Sequence, residues 1–231
     1  MLPRLVSIVL PVYNQADHIG AVVAAYTKEL EGFPIDYEFV LAVNGSRDSS
    51  HAVCLDLARS DGRVRVIHSI TGGWGLGVRL GLEAARGDLL CYTNSARTSG
   101  QILRQILDEA LHHSGHVVKA RRMDRQGLAR RLGSWLYNWE CRWLLGTDGQ
   151  DVNGTPKCFP RQFSGLLTLR ESGDLLDAEL LALCARHGYP VVQIPVAFPP
   201  RFGGRSTTTL KSARKMLLGA WKLWRRVRRD A

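Results

Sequence analysis

Val6-Ser-Ile-Val-Leu-Pro-Val-Tyr-Asn14 opens the chain with a short β-branched run that meets Pro11 and then a turn. Beyond Asn14 the apolar residues change period: Ile19, Val22, Val23, Tyr26 and Leu30 fall at helical spacing. The strand–helix alternation repeats downstream. Tyr37 to Val43 is a second continuous apolar run, closed by Asn44-Gly45-Ser46 and followed by a helical pattern through Val53, Leu55 and Leu57. Val64 to His68 reads as a third strand, Gly72 to Gly77 leads into a helix from Val78 to Ala85, and Asp88 to Tyr92 reads as a fourth strand. Strands apolar on both faces that alternate with helices predict an α/β fold, a mostly parallel sheet flanked by helices. Ligands of such sheets bind at the C-terminal strand ends. Those ends are Pro11-Val-Tyr-Asn14, Val43-Asn-Gly-Ser-Arg-Asp48 and Thr93-Asn-Ser-Ala96, which are polar and rich in turn residues.

The whole chain is consistent with one such domain. Its 231 residues suffice for a single buried core. With 45% apolar and 23% charged residues the composition excludes a disordered chain. No apolar run approaches the ~18 residues that span a bilayer, and Met1-Leu-Pro-Arg4 lacks a signal-peptide pattern, so export is not expected. The five cysteines are scattered without CxxC spacing, which speaks for inert thiols in a reducing cytoplasm. A net charge of +10 points to an anionic partner: a nucleotide, a nucleic acid or an acidic membrane surface. No recognised nucleic-acid motif accompanies it, so nucleic acid is not an expected partner.

The segments named above, in their order, resemble the family 2 glycosyltransferases, and within them the polyprenyl-phosphate branch typified by dolichol-phosphate mannose synthase. Val6 to Asn14 is similar to the family's opening strand and P-x-Y-N-E turn, with Gln15 at the usual glutamate. Glu38 to Ser50 is similar to the strand and loop E-I-I-V-V-D-D-G-S-x-D-x-T. Gly73-Trp-Gly-Leu-Gly-Val-Arg-Leu-Gly81 and Ala85-Arg-Gly-Asp88 match two further motifs, as do Asp151 to Lys157, Asp177-Ala-Glu179, Gly188-Tyr189, Ile194-Pro-Val196 and Arg201 to Ser206. The likeness covers nearly the whole chain. It implies a Rossmann-like, nucleotide-sugar-binding fold of the glycosyltransferase A type over residues 1–206, followed by a basic amphipathic helix over 207–231. A dinucleotide-binding turn at Gly73, Gly75 and Gly77 is rejected, because that fingerprint is G-x-G-x-x-G after the first strand and position 78 is valine.

The resemblance places the donor, a UDP- or GDP-hexose, against Pro11, Tyr13, Asn14, Asn44 and Asp48. Metal-dependent members hold Mg²⁺ or Mn²⁺ on an Asp-x-Asp after the fourth strand, often with a nearby Gln. Here Asn94-Ser-Ala96 occupies that motif, Thr98 stands at the Gln, and Arg97 adds a positive charge that repels a cation and attracts phosphate. Three readings stay open: cationic side chains replace the metal, other acids such as Asp88 recruit it, or the chain is a non-catalytic relic that still binds sugar nucleotides or a partner. For a polyprenyl phosphate acceptor the resemblance points to Lys119, Arg121, Arg122, Arg131, Ser134 and Ser206, where arginine forks suit phosphate oxygens. Asp151, Asn153 and Lys157 form a further polar cluster near the expected sugar pocket. A phosphate acceptor is already ionised near neutral pH, whereas a glycan hydroxyl needs a general base, for which Asp177 or Glu179 is the candidate. Arg201 and Ser206 lie in a glycine-bearing loop that closes over phosphates in relatives.

Lys211 to Arg229 contains eight Lys or Arg and no acid. On a helical wheel Leu210, Leu217, Trp221, Trp224 and Val227 oppose Lys211, Lys215, Lys222, Arg226 and Arg229, the pattern of a helix in a membrane interface. Trp135, Trp139 and Trp143 form a second aromatic stripe. Together they predict a cytoplasmic protein held peripherally on the inner face of the membrane, with an anionic lipid surface as partner.

Overall fold

The computed structural model describes residues 3–123, 128–147, 150–197 and 210–229, with the backbone alone described over 128–134 and 210–218. Seven strands form one sheet: β1 (Leu5–Val12), β2 (Asp36–Asn44), β3 (Val64–Ser69), β4 (Leu89–Tyr92), β5 (Val117–Arg122), β6 (Lys157–Pro160) and β7 (Val191–Val196). Their order across the sheet is β3-β2-β1-β4-β6-β5-β7. Every neighbouring pair is parallel except those made by β6, which runs antiparallel to β4 and to β5. The helices are α1 (Ile19–Glu29), α2 (Ser50–Ser60), α3 (Trp74–Ala84), α4 (Gly100–His112), α5 (Leu128–Leu145), α6 (Leu176–His187) and α7 (Leu210–Arg229). The expected single α/β domain with a mostly parallel sheet is therefore present.

Alternation along β1 explains why its sequence is apolar but for Ser7, whose buried hydroxyl donates to Glu38. Ile8 and Leu10 join one buried cluster with Ile19, Val22 and Tyr26 of α1 and Leu103 and Ile106 of α4. Val9, between them, points to the opposite face and joins Val78 and Leu82 of α3 with residues of α6. Both faces are covered, so no position of the strand is free to be polar toward water.

The helix expected from Val78 begins earlier, at Trp74, so the glycines belong to its first turns. The physical reason is proximity. A Cβ at Gly81 would lie 2.1 Å from Val9 Cγ1, so only glycine allows α3 to lie this close to β1. Gly45, in the turn after β2, adopts a left-handed φ of 69°, and a Cβ there would lie 2.6 Å from Gly72 Cα.

Among the described residues no helix is long and apolar enough to cross a membrane. The helical wheel of the C-terminal segment needs one correction. Arg226, placed on its outward basic face, turns inward and pairs with Glu179 and Glu171 at 2.8 and 2.9 Å. Ala220 and Leu223 are the residues buried against the domain, whereas Trp221 is exposed. The buried Glu179 and the half-buried Glu171 attract a side chain that hydrophobicity alone assigns to water.

Candidate functional site

The C-terminal ends of β1 and β2 are tied together by their turns. Asn14, at φ 49°, accepts from the Arg47 N–H at 2.8 Å through Oδ1, and its own N–H donates to Ser46 Oγ at 3.1 Å. Asparagine tolerates this left-handed geometry better than most residues. Asp48 accepts from the N–H of Ala16 and from the N–H and hydroxyl of Ser50. Slight desolvation works against these bonds, which nevertheless hold its carboxyl below the ordinary value. Pro11 is buried in β1 and Tyr13 stands exposed beside the turn. Asn44 is buried, and its Nδ2 donates to the Gly73 carbonyl at 2.7 Å, joining β2 to the start of α3.

The loop after β4 is closed by its own hydrogen bonds. Asn94 Oδ1 accepts from the Ala96 N–H at 3.1 Å, and the Asn94 carbonyl accepts from the N–H groups of Arg97 and Thr98. The Thr98 hydroxyl is buried against Thr93 Oγ1 at 2.7 Å. Ser95 Oγ donates to Gln15 Oε1 at 2.7 Å, bridging the β4 loop to the β1 turn. Gln15 and Ser95 were not among the expected site residues. Their signal lay in the neutral Gln15 at the family's glutamate, which leaves a carbonyl oxygen for a hydroxyl partner.

This donor set does not fit a divalent cation. Asn94 offers one carbonyl oxygen that already accepts a bond, Ala96 a methyl group, and Thr98 a hydroxyl turned into the core. Mg²⁺ and Mn²⁺ are held by hard oxygens with at least one or two carboxylates. Among the described residues no group of three or more His, Cys, Asp or Glu comes together. Asp88 does not substitute, since it lies before β4, at the opposite end of the sheet, accepting from the Arg4 N–H.

Beneath the ends of β4, β5 and β6 lies a buried charge network. Lys157 faces Tyr92 across the β4–β6 ladder and pairs with Asp177 Oδ1, while its Nζ also donates to the Val152 carbonyl. Asp177 Oδ1 accepts from the Tyr92 hydroxyl at 2.7 Å and Oδ2 from Trp74 Nε1 at 3.2 Å. Glu179 points elsewhere, as a spacing of two in a helix requires. Its oxygens accept from the N–H groups of Arg170 and Glu171 and from Arg226. Arg122 grips Asp151 with two bonds, from Nε at 2.8 Å and NH2 at 2.7 Å. Arg121 donates to Gln150 Oε1. Asn153, grouped with Asp151 and Lys157 in the sequence, lies between them in the loop before β6. The backbone of Arg131 and Ser134 runs along α5, their side chains lie outside the described set, and Arg201 and Ser206 lie outside the described residues altogether.

Lys119 is fully buried, its Nζ donating to the Asp151 carbonyl at 2.7 Å. Burial, reinforced by neighbouring Lys157 and opposed by Asp151 and Asp177, pushes its ammonium from the ordinary 10.5 down to about 7. The folded protein then binds fewer protons than the unfolded chain between these values, so stability rises with pH across that window. From pH 7 to pH 8, urea denaturation should show the parent gaining about 1 kcal/mol relative to Lys119→Met, a difference in which the ionisation of unfolded cysteines, common to both proteins, cancels. Parallel profiles of the parent and the variant contradict the shifted lysine.

Comparison with known proteins bears on this geometry. The profile described as Glycosyl transferase family 2 matches residues 7–95. Glycosyltransferase AglD of Haloferax volcanii is 30% identical over 207 residues, covering 85% of this chain and 33% of AglD. The undecaprenyl-phosphate 4-deoxy-4-formamido-L-arabinose transferase of Pseudomonas fluorescens is 33% identical over 172 residues, covering 72% of this chain. The chain thus spans a third of the length of the first of these relatives and half of the second. Glucosyl-3-phosphoglycerate synthase of Mycobacterium tuberculosis, crystallised with Mn²⁺, UDP and phosphoglyceric acid, superposes with a TM-score of 0.73 at 19% identity, covering 95% of this chain and 77% of that one. At that identity the likeness concerns the fold. Residues 7–95 therefore match glycosyl transferase family 2, within a chain whose fold is like that of a synthase crystallised with UDP.

Proposed function

We propose that this chain is an inverting glycosyltransferase that moves a hexose from a UDP- or GDP-sugar to a polyprenyl phosphate, with cationic side chains in place of a divalent ion. The observation that carries this reading is the state of the two candidate bases. Asp177 is enclosed by Lys157, Tyr92 and Trp74, and Glu179 by two backbone N–H groups and Arg226. Neither is placed to take a proton from an acceptor hydroxyl. An acceptor phosphate needs none removed: its oxygen attacks the anomeric carbon, the bond to the diphosphate breaks, and the nucleotide leaves with the electron pair. Positive charge near the departing diphosphate is then what the site must supply. Arg97 in the β4 loop and Arg121 at the end of β5 are the described candidates, with Arg131 and Arg201 as further members of the set.

The undecaprenyl-phosphate transferase among the relatives supports the acceptor class, and the UDP-bound synthase supports the donor class. A lipid acceptor also supports a peripheral position on the cytoplasmic leaflet. The test supplies labelled UDP- and GDP-hexoses with either polyprenyl phosphate or free glycan, in EDTA and in Mn²⁺. Transfer to polyprenyl phosphate that EDTA leaves unchanged is the expected result. Transfer to glycan alone refutes the acceptor, activity only with Mn²⁺ refutes the cationic site, and nucleotide binding without turnover identifies a relic.

A further inference from the structure

The outward sides of α5 and α7 carry side chains that a surface facing only water rarely shows together. Trp135, Trp139 and Trp143 are 62%, 52% and 74% exposed, and the last two stack with parallel rings. Tyr137, Cys141 and Leu145, on the other side of α5, are buried, so the tryptophans are what remains after the helix has docked. Next to it, α7 exposes Trp221, Lys222, Arg225, Arg228 and Arg229. Arg225 lies 3.9 Å over the Trp221 ring and Arg228 4.9 Å over Trp224. An open groove of about 550 Å³ between α5, α6 and α7 is lined by Trp143, Leu144, Leu145 and Val227 and by Arg186 and Arg228. Glu140 is the one acid in the two helices.

We infer that this α5–α6–α7 face seats on an anionic phospholipid surface, its tryptophans at headgroup depth, its arginines on lipid phosphates and its groove around an acyl chain. Tryptophan is suited to the membrane boundary because its ring is apolar and its N–H polar. The arginines meet lipid phosphate bidentately while resting on aromatic faces. A second copy of the chain would set cations against cations, and a nucleic acid would leave the apolar groove without a partner. The inference extends the membrane position proposed above and names the surface that holds it, but it does not depend on the transfer reaction.

The experiment is flotation of the full chain with phosphatidylcholine vesicles, with and without phosphatidylglycerol, all lacking polyprenyl phosphate. Binding should require the anionic lipid, weaken with salt and shift tryptophan emission to the blue. Arg225→Ala with Arg228→Ala should weaken partitioning about 30-fold, from about 1 kcal/mol per basic residue. Trp139→Ser with Trp143→Ser should reduce the blue shift to what Trp135 and Trp221 still give, and circular dichroism should show both variants folded. Absence of binding at low salt, or binding undiminished in both variants, overturns the proposal. So does light scattering that finds a dimer dispersed by the tryptophan substitutions, which would put a second copy on this face. Vesicle binding without transfer sinks the proposed reaction alone; transfer to a short, soluble polyprenyl phosphate without vesicle binding sinks this inference alone.

Discussion

Lys157→Met should lower folding stability by about 3–5 kcal/mol, the range measured when one partner of a buried ion pair is removed. The substitution keeps the volume and deletes the ammonium, leaving Asp177 ionised in the core with only the Tyr92 hydroxyl and the Trp74 N–H as donors. Urea denaturation at neutral pH measures the loss, which is a large part of the 5–15 kcal/mol that a domain usually has. Adding Asp177→Asn removes the stranded charge, so the double variant should recover part of the loss. The difference from additivity should fall within about 0.5–3 kcal/mol, as for residues in direct contact. A loss below about 1 kcal/mol in the single variant would show that the pair contributes no more than an ordinary hydrogen bond.

The second large effect is expected on catalysis. Arg97→Ala should reduce kcat for transfer about 10²–10³-fold, the loss typical when one donor to a developing negative charge is deleted. On the proposed reading, Arg97, which follows the Asn94 turn and is half-buried, stands where the resemblance places the family's metal against the diphosphate. Charge held there from the start needs no ion to bind first. Thermal denaturation should be little changed, and Arg97→Lys should restore part of the rate because it returns the charge without the planar fork. A fall smaller than tenfold, about 1.4 kcal/mol of barrier, would move the role to Arg121 or to the cations of the phosphate loop.

The first half of the fold was legible because each strand from β1 to β4 is a compact apolar run bounded by turn residues, and such runs have few other uses. The polar strand ends were legible for the same reason. What escaped were β7 and, above all, β6. It is four residues long, it starts with a charged lysine, and its place between β4 and β5 depends on partners distant in the sequence. The cluster of Asp151, Asn153 and Lys157 was seen as polar, but polarity does not reveal that Lys157 is fully buried and matched by Asp177. The inward turn of Arg226 escaped likewise, because a wheel compares hydrophobicity within one helix and knows nothing of Glu171 and Glu179 across the gap. The tryptophans of α5 show the converse. Spacing placed them on one face, and only the packing of Tyr137, Cys141 and Leu145 shows that this face is turned outward.

The antiparallel β6 also bears on how the chain is made. A ribosome releases β1 to β4 as a contiguous set that can pair in the order β3-β2-β1-β4 without waiting for the rest. β5 then emerges with no neighbour among them, because the strand that joins it to β4 is still to be synthesised. Until residues 157–160 arrive, the nascent chain holds two open edges of unpaired backbone groups, and exposed edges are where strands of different chains join. Pauses in translation that leave β5 outside the ribosome while residues 157–160 are still inside it should therefore raise aggregation more than pauses elsewhere, and a ribosome-bound chaperone would have its greatest effect on the yield of this protein in that interval.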